Sequence, residues 1–245
     1  MKKENFKLLF IAVALLINAC KKEKIQTDIF DLKNYVVHSV YQETNGRGLN
    51  YKAPQQLLMS FQNNQTKIEH VGSTETQPFP NNKILFTTYD KFFSNIDSLL
   101  VSIDTTNKTT EVVGKYGRTR NTIASNLIDS RQKNWDLNNL KLTGKVEMRN
   151  ASGTLLQNPT SYILFNSDAS KVNMQETAPS ENITFKNTIY FGNNTNYYRE
   201  ANREDATFQE KLFFVFLKQK VILSGYYYDF ITGNTFYYYG ELTKL

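Results

Sequence analysis

A single cysteine, Cys20, stands in 245 residues. The chain can form no disulfide within itself, and a zinc site built from several thiolates is excluded. Its folded body must be held by a core rather than by staples. Only two histidines occur, His38 and His70, so a three-histidine metal site is excluded as well. One tryptophan, Trp135, leaves no array of indole platforms for stacking sugars. No apolar run reaches the roughly 20 residues that a membrane-spanning helix needs. No H-E-x-x-H, G-x-S-x-G, Walker loop or G-x-G-x-x-G is present. No catalytic residue, metal or cofactor follows from the sequence.

The N-terminal segment has a recognisable order. Lys2, Lys3 and Lys7 give a basic start, residues 8–17 (LLFIAVALLI) form an unbroken apolar run, and Asn18, Ala19 and Cys20 follow. A basic start, a short apolar middle and a small residue at the cut make a secretory signal. The stretch 16–20 (LINAC) resembles the lipobox of bacterial lipoproteins, with Ile17 three residues before the cysteine and Ala19 just before it. The resemblance implies that residues 1–19 are removed and that Cys20 carries diacylglycerol and an acylated amine. Two or more acyl chains anchor stably where one does not. The implied location is the cell envelope of a Gram-negative bacterium, at the outer membrane, with membrane lipid as a partner through Cys20. Residues 20–33 then read as a charged tether and 34–245 as the folded body.

Most of the net charge of +6 comes from the lysines of the signal and the tether. The basic balance is therefore no sign of nucleic-acid binding, and no nucleic acid is expected as a partner. The tether's lysines suit anionic head groups instead. Fifteen tyrosines and seventeen phenylalanines favour strands, and the many asparagines favour turns. An all-β body is expected, a β-sandwich with a calycin-like antiparallel barrel as the alternative, and with one or two short helices.

Local patterns divide the body. Residues 34–41 read as a strand, and 56–62 with 66–71 as a hairpin. Two prolines make 76–82 a loop, because neither can donate to a ladder. Phe92, Phe93, Ile96 and Leu100 recur at helical spacing behind Asp90. Residues 99–103 and 109–113 form a second hairpin. Ile123, Ala124, Leu127 and Ile128 suggest a short helix or wrapped loop, so 118–135 is the candidate boundary if the body divides. From Trp135 onward strands follow one another: 140–149, 162–165, 183–191, 208–217, 221–229 and 235–242. Gly233 fits the left-handed position of the last hairpin turn.

Three groups of residues carry polar or aromatic chemistry. His38 lies in an apolar strand and His70 at the end of another; both read as structural. Glu200, Glu204 and Asp205 are interleaved with Arg199 and Arg203, and Arg199/Arg203 and Glu200/Glu204 each lie four apart, the pattern of a solvated, self-pairing helical turn or loop. Tyr226, Tyr227 and Tyr228 face Tyr237, Tyr238 and Tyr239 across one hairpin. Strand alternation sends Tyr226 and Tyr228 to one side and Tyr227 to the other, and separates Tyr238 from Tyr237 and Tyr239. The outward set is the candidate recognition surface, since tyrosine presents an apolar face with a hydroxyl. The function expected is non-catalytic binding of a ligand, glycan or protein. A structural or adhesive surface subunit is the alternative, with a hydrolase behind it.

Overall fold

The computed structural model describes residues 32–44, 54–62, 65–70, 73–78, 83–90, 95–104, 109–115, 119–133, 135–179, 183–190 and 197–245. Cys20, the signal and the tether lie outside the described residues. Residues 32–245 form one compact unit. Its only described helix is a three-residue 3-10 turn, Leu32–Asn34. The chain is all-β, as its composition implies.

The strands fall into two consecutive meanders. The first comprises β1 (Tyr35–Thr44), β2 (Gln55–Gln62), β3 (Gln65–His70), β4 (Ser73–Pro78), β5 (Lys83–Asp90), β6 (Asn95–Asp104), β7 (Thr109–Lys115) and β8 (Thr119–Asp129). Its ladders run β4-β3-β2-β1-β8 and β5-β6-β7. The second comprises β9 (Lys141–Asn150), β10 (Leu155–Gln157), β11 (Thr160–Phe165), β12 (Lys171–Gln175), β13 (Asn187–Tyr190), β14 (Tyr198–Glu204), β15 (Phe208–Phe216), β16 (Val221–Asp229) and β17 (Thr235–Lys244). In both, every pairing is antiparallel and the first strand pairs with the last: β1 with β8, β9 with β17.

The β9–β17 pairing closes the second meander into an eight-stranded antiparallel barrel, with β10 as an extra strand. Of the two architectures expected, the barrel is the one this half adopts. β10 and β11 lie along the same edge of β9, and the Val146 amide donates to the Pro159 carbonyl between them at 3.1 Å. A proline that cannot donate thus sits where the ladder is interrupted.

Alternation fills the barrel. Leu142 and Val146 of β9, Ile163 and Phe165 of β11, Leu212, Phe214 and Phe216 of β15, and Leu223 of β16 are all buried in one cluster. Phe165 meets Phe214 edge-on at 5.3 Å. Trp135 leans on Phe216, and its Nε1 donates to the Leu217 carbonyl at 2.6 Å. The intervening residues Phe213, Val215 and Ile222 are also buried, in a second cluster that includes Val36, Val40, Leu58 and Ile128. The outside of β14–β16 is therefore covered by β1, β2 and β8, and we call this contact the seam. Burial on both faces explains the unbroken apolar run 212–216 (LFFVF).

Three local expectations are corrected. Residues 95–98 belong to β6 together with the expected strand 99–103 and are not helical, and 119–129 form β8 rather than a helix or loop. Ile96 and Leu100 lie in β6, and Ile123, Ala124, Leu127 and Ile128 in β8, where tertiary pairing decides; Phe92 and Phe93 lie outside the described residues. Residues 73–78 extend as β4 into the segment expected to be loop; Pro78 ends that strand, opposite Gln65, and β4 is the last strand of its ladder. That position tolerates proline. The junction between the meanders, residues 130–140, overlaps the C-terminal part of the 118–135 window.

Candidate functional site

The last hairpin has the expected pairing. Tyr226 lies opposite Tyr237, Tyr227 opposite Phe236, and Ser224 opposite Tyr239. Gly233 adopts φ +68°, and its amide donates to the Asp229 carbonyl at 2.8 Å. Barrel closure decides which faces are which. Tyr227 and Tyr238 point inward with Phe236: Tyr227 stacks on Phe208 at 5.2 Å, and Tyr238 packs on the barrel core. Burial pushes the Tyr238 phenol above its ordinary range. Tyr226, Tyr228, Tyr237 and Tyr239 occupy the outer face. Of these, Tyr226 and Tyr239 pack against the seam cluster. The tyrosine ladder is thus divided between core, seam and surface, and it does not form one continuous platform.

The charged segment 199–205 is not a helical turn. It is β14 with its following turn, and its charges separate by strand face. Glu200 pairs with Lys211 at 3.7 Å, and Glu204 accepts from Gln209 Nε2 at 2.9 Å. Asp205 Oδ1 caps the turn by accepting from the Thr207 amide at 2.7 Å. Arg199 and Arg203 alternate with these and share the inward face with Ala201. Burial lowers the Arg199 guanidinium below its ordinary value. Arg203 Nη2 lies 3.4 Å from Glu210 Oε2, which also accepts from Asn187 Nδ2 at 3.0 Å. Arg203 covers the Phe208 ring at 4.5 Å. Glu210 thus takes both the Arg203 and the Asn187 contact inside the barrel, while Arg203 Nε has no hydrogen-bond partner among the described residues. No cluster of three His, Cys, Asp or Glu able to hold a metal occurs among the described residues.

His38 is fully buried in its strand. Its partners place it in the seam. Asn126 Nδ2 lies 3.3 Å from His38 Nδ1, and Gln56 Oε1 lies 2.6 Å from His38 Nε2. Gln56 Nε2 then donates to Ser224 Oγ at 2.6 Å and to the Phe213 carbonyl at 3.4 Å. An amide oxygen only accepts, so His38 carries its proton on Nε2 and accepts from Asn126 on Nδ1. The bonds all run one way, from β8 through β1 and β2 into the barrel. Burial pushes His38 down to about 4; the Gln56 bond opposes this and Lys220 adds to it. His70 ends β3, with its backbone opposite Leu57 and Ser73; its side chain lies outside the described residues.

An open cleft of about 570 Å³ lies at one end of this chain of bonds. One wall is Tyr35, residues 126–129 and Gln132; the other is Leu217, Lys218, Gln219 and Lys220 of the β15–β16 turn. The volume lies within the roughly 300–1,000 Å³ of small-molecule sites. Asn126 belongs both to the cleft and to the His38 chain. The Asp129 carboxylate is held by Arg131, with Nε at 2.8 Å from Oδ1 and Nη2 at 2.6 Å from Oδ2. Lys220 pairs with Glu241 at 2.7 Å. Arg131 also lies over the Tyr35 ring at 5.9 Å. The turn ends of the first wall are fixed by Ser130, whose amide and hydroxyl both donate to the Asn34 carbonyl. The cleft therefore offers amides, one aromatic ring and ammonium groups on a braced frame.

None of these cleft residues stands out in the sequence. They come from three distant segments, and no spacing rule connects them. Compared with models of protein families and with curated proteins, the chain matches none.

Proposed function

We propose that this protein is an exported lipoprotein, anchored in the outer membrane through Cys20, that binds a ligand in the seam cleft and performs no chemistry on it. The anchor rests on the lipobox-like residues 17–20. The binding reading rests on one observation: the cleft amide of Asn126 is held by a buried chain of hydrogen bonds that crosses the seam. Preorganised polar groups recognise a ligand without the cost of ordering them on binding. A carrier that encloses its ligand inside the barrel fits less well. The barrel's interior is occupied by Leu142, Ile163, Phe165, Phe214 and Phe216, each almost wholly buried.

The carboxylates near the surface also support binding over hydrolysis. A glycosidase needs two carboxylates facing one cleft, one of them available to give a proton. Asp129 is the cleft's carboxylate, and Arg131 holds both of its oxygens.

Two measurements test the proposal. Wild-type protein should incorporate labelled palmitate and sediment with the outer membrane, and Cys20→Ser should do neither. Palmitate incorporation by the Cys20→Ser protein would sink the anchor. The full chain, screened on a glycan array, should bind a subset of glycans. The Gln132→Ala/Gln219→Ala variant should lose that binding while keeping its melting temperature. Undiminished binding by that variant would place recognition elsewhere.

A further inference from the structure

We propose that the cleft's ligand is an acidic saccharide, with its hydroxyls read by the cleft amides and its carboxylate set against Lys218. This deepens the binding proposal and rests on it. Asp129 is neutralised by Arg131, and Lys220 by Glu241. Lys218 lines the same cleft, is exposed, and makes no ion pair among the described residues. Among those residues one uncompensated positive charge therefore remains in the cleft, which selects a ligand carrying a negative group. The rest of the lining is of mixed sense. Asn126 spends its Nδ2 on His38 and keeps an oxygen for a hydroxyl donor, while Gln132 and Gln219 each bring two donors and an acceptor. A hydroxyl both donates and accepts, so a polyol answers such a lining better than a simple anion does. A peptide chain would offer fewer such groups per unit volume.

The test is calorimetric titration of the full chain, in detergent, with three probes: digalacturonic acid, a neutral disaccharide of the same ring size, and inorganic phosphate. The acid should bind about tenfold more tightly than the neutral sugar, equivalent to about 1.4 kcal/mol. Phosphate at equal concentration should not compete. Lys218→Gln should bring the acid down to the neutral sugar's affinity, leaving the neutral sugar and the melting temperature unchanged. Equal affinity of wild type for both sugars overturns the acidic assignment and leaves the cleft a saccharide site. Competition by phosphate overturns it in favour of a bare anion site. Failure of both sugars to bind a normally folded chain overturns the saccharide assignment; whether the cleft binds at all is then read from the glycan-array comparison with Gln132→Ala/Gln219→Ala.

Discussion

Gln56 Nε2 donates to Ser224 Oγ at 2.6 Å, and this bond joins β2 of the first meander to β16 of the barrel. Both side chains are buried, and Gln56 also accepts from His38. The seam is otherwise apolar, with Val36, Val40, Leu58, Phe213, Val215 and Ile222 around it. A chain of directional bonds through its centre fixes one register.

Gln56→Leu should therefore be costly despite its similar size. It leaves His38 Nε2–H and the Ser224 hydroxyl without their partner, and each unsatisfied buried group costs about 1–3 kcal/mol. Urea denaturation should show a loss of at least about 2 kcal/mol. Changing Gln56→Leu together with Ser224→Ala should recover part of it, because one orphaned group is then removed. A double variant less stable than the single would contradict the assigned bond.

His38 makes stability depend on pH in a defined sense. Its folded pKa is lowered from 6.5 to about 4, chiefly by burial. The folded state thus disfavours the charged ring. Stability is fully present above pH 6.5 and is lost as pH falls towards 4, after which this group contributes no further loss. The integrated effect is about 3 kcal/mol. In wild type minus His38→Gln, stability measured between pH 7 and 4 should fall by an amount of that order. Parallel pH profiles for the two proteins would show that His38 titrates normally. The charged groups around the ring are few: Lys220 disfavours protonation, and Asn126 and Gln56 are neutral.

Two glycines in the last hairpin separate strain from clash. Gly233 sits at φ +68° with nothing within 4 Å of a built Cβ. Gly225 faces β15 closely, and a Cβ there would meet the Lys211 carbonyl oxygen at 2.3 Å. Gly233→Val should cost about 1–3 kcal/mol from backbone strain alone. Gly225→Val should cost more, because the ladder between β15 and β16 must part. Thermal melts would order the two, and a Gly225→Val variant as stable as Gly233→Val would refute the close approach.

The second meander was largely legible because its strands alternate against a barrel core. Residues 221–229 and 235–242 show their pairing and their turn glycine in the sequence itself. The first meander was less so. In β8, Ala124 and Ile128 face the seam while Leu127 also lines the cleft wall, so both sides carry apolar residues and the period of two is lost. β14 was missed for a related reason: Arg199 and Arg203 point into the barrel, and charged residues inside a barrel imitate a solvated turn. The cleft had no local signature at all. Its walls come from β1, from the end of β8 and from the β15–β16 turn, and only packing of one meander on the other brings them together.

The outward tyrosines give the sharpest contrast between structure and recognition. Tyr226 packs on the seam cluster, and its hydroxyl donates to Gln209 Oε1 at 3.2 Å. Burial and the nearby Glu200 raise its pKa. Tyr228 instead meets Phe230 edge-on at 5.3 Å, where Phe230 is itself exposed. Tyr226→Ala should lower stability by about 2 kcal/mol or more, since it opens space beside a packed seam. Tyr226→Phe keeps the ring and should cost about 1 kcal/mol. Tyr228→Ala should cost about 0.5–1 kcal/mol, the worth of one aromatic contact near the surface. Neither ring lines the cleft, so ligand affinity should be unchanged in Tyr228→Ala and Tyr226→Phe. Equal destabilisation by Tyr226→Ala and Tyr228→Ala would contradict the seam assignment. Loss of ligand affinity in a fully folded Tyr228→Ala protein would return the recognition surface to the tyrosine face and take it from the cleft.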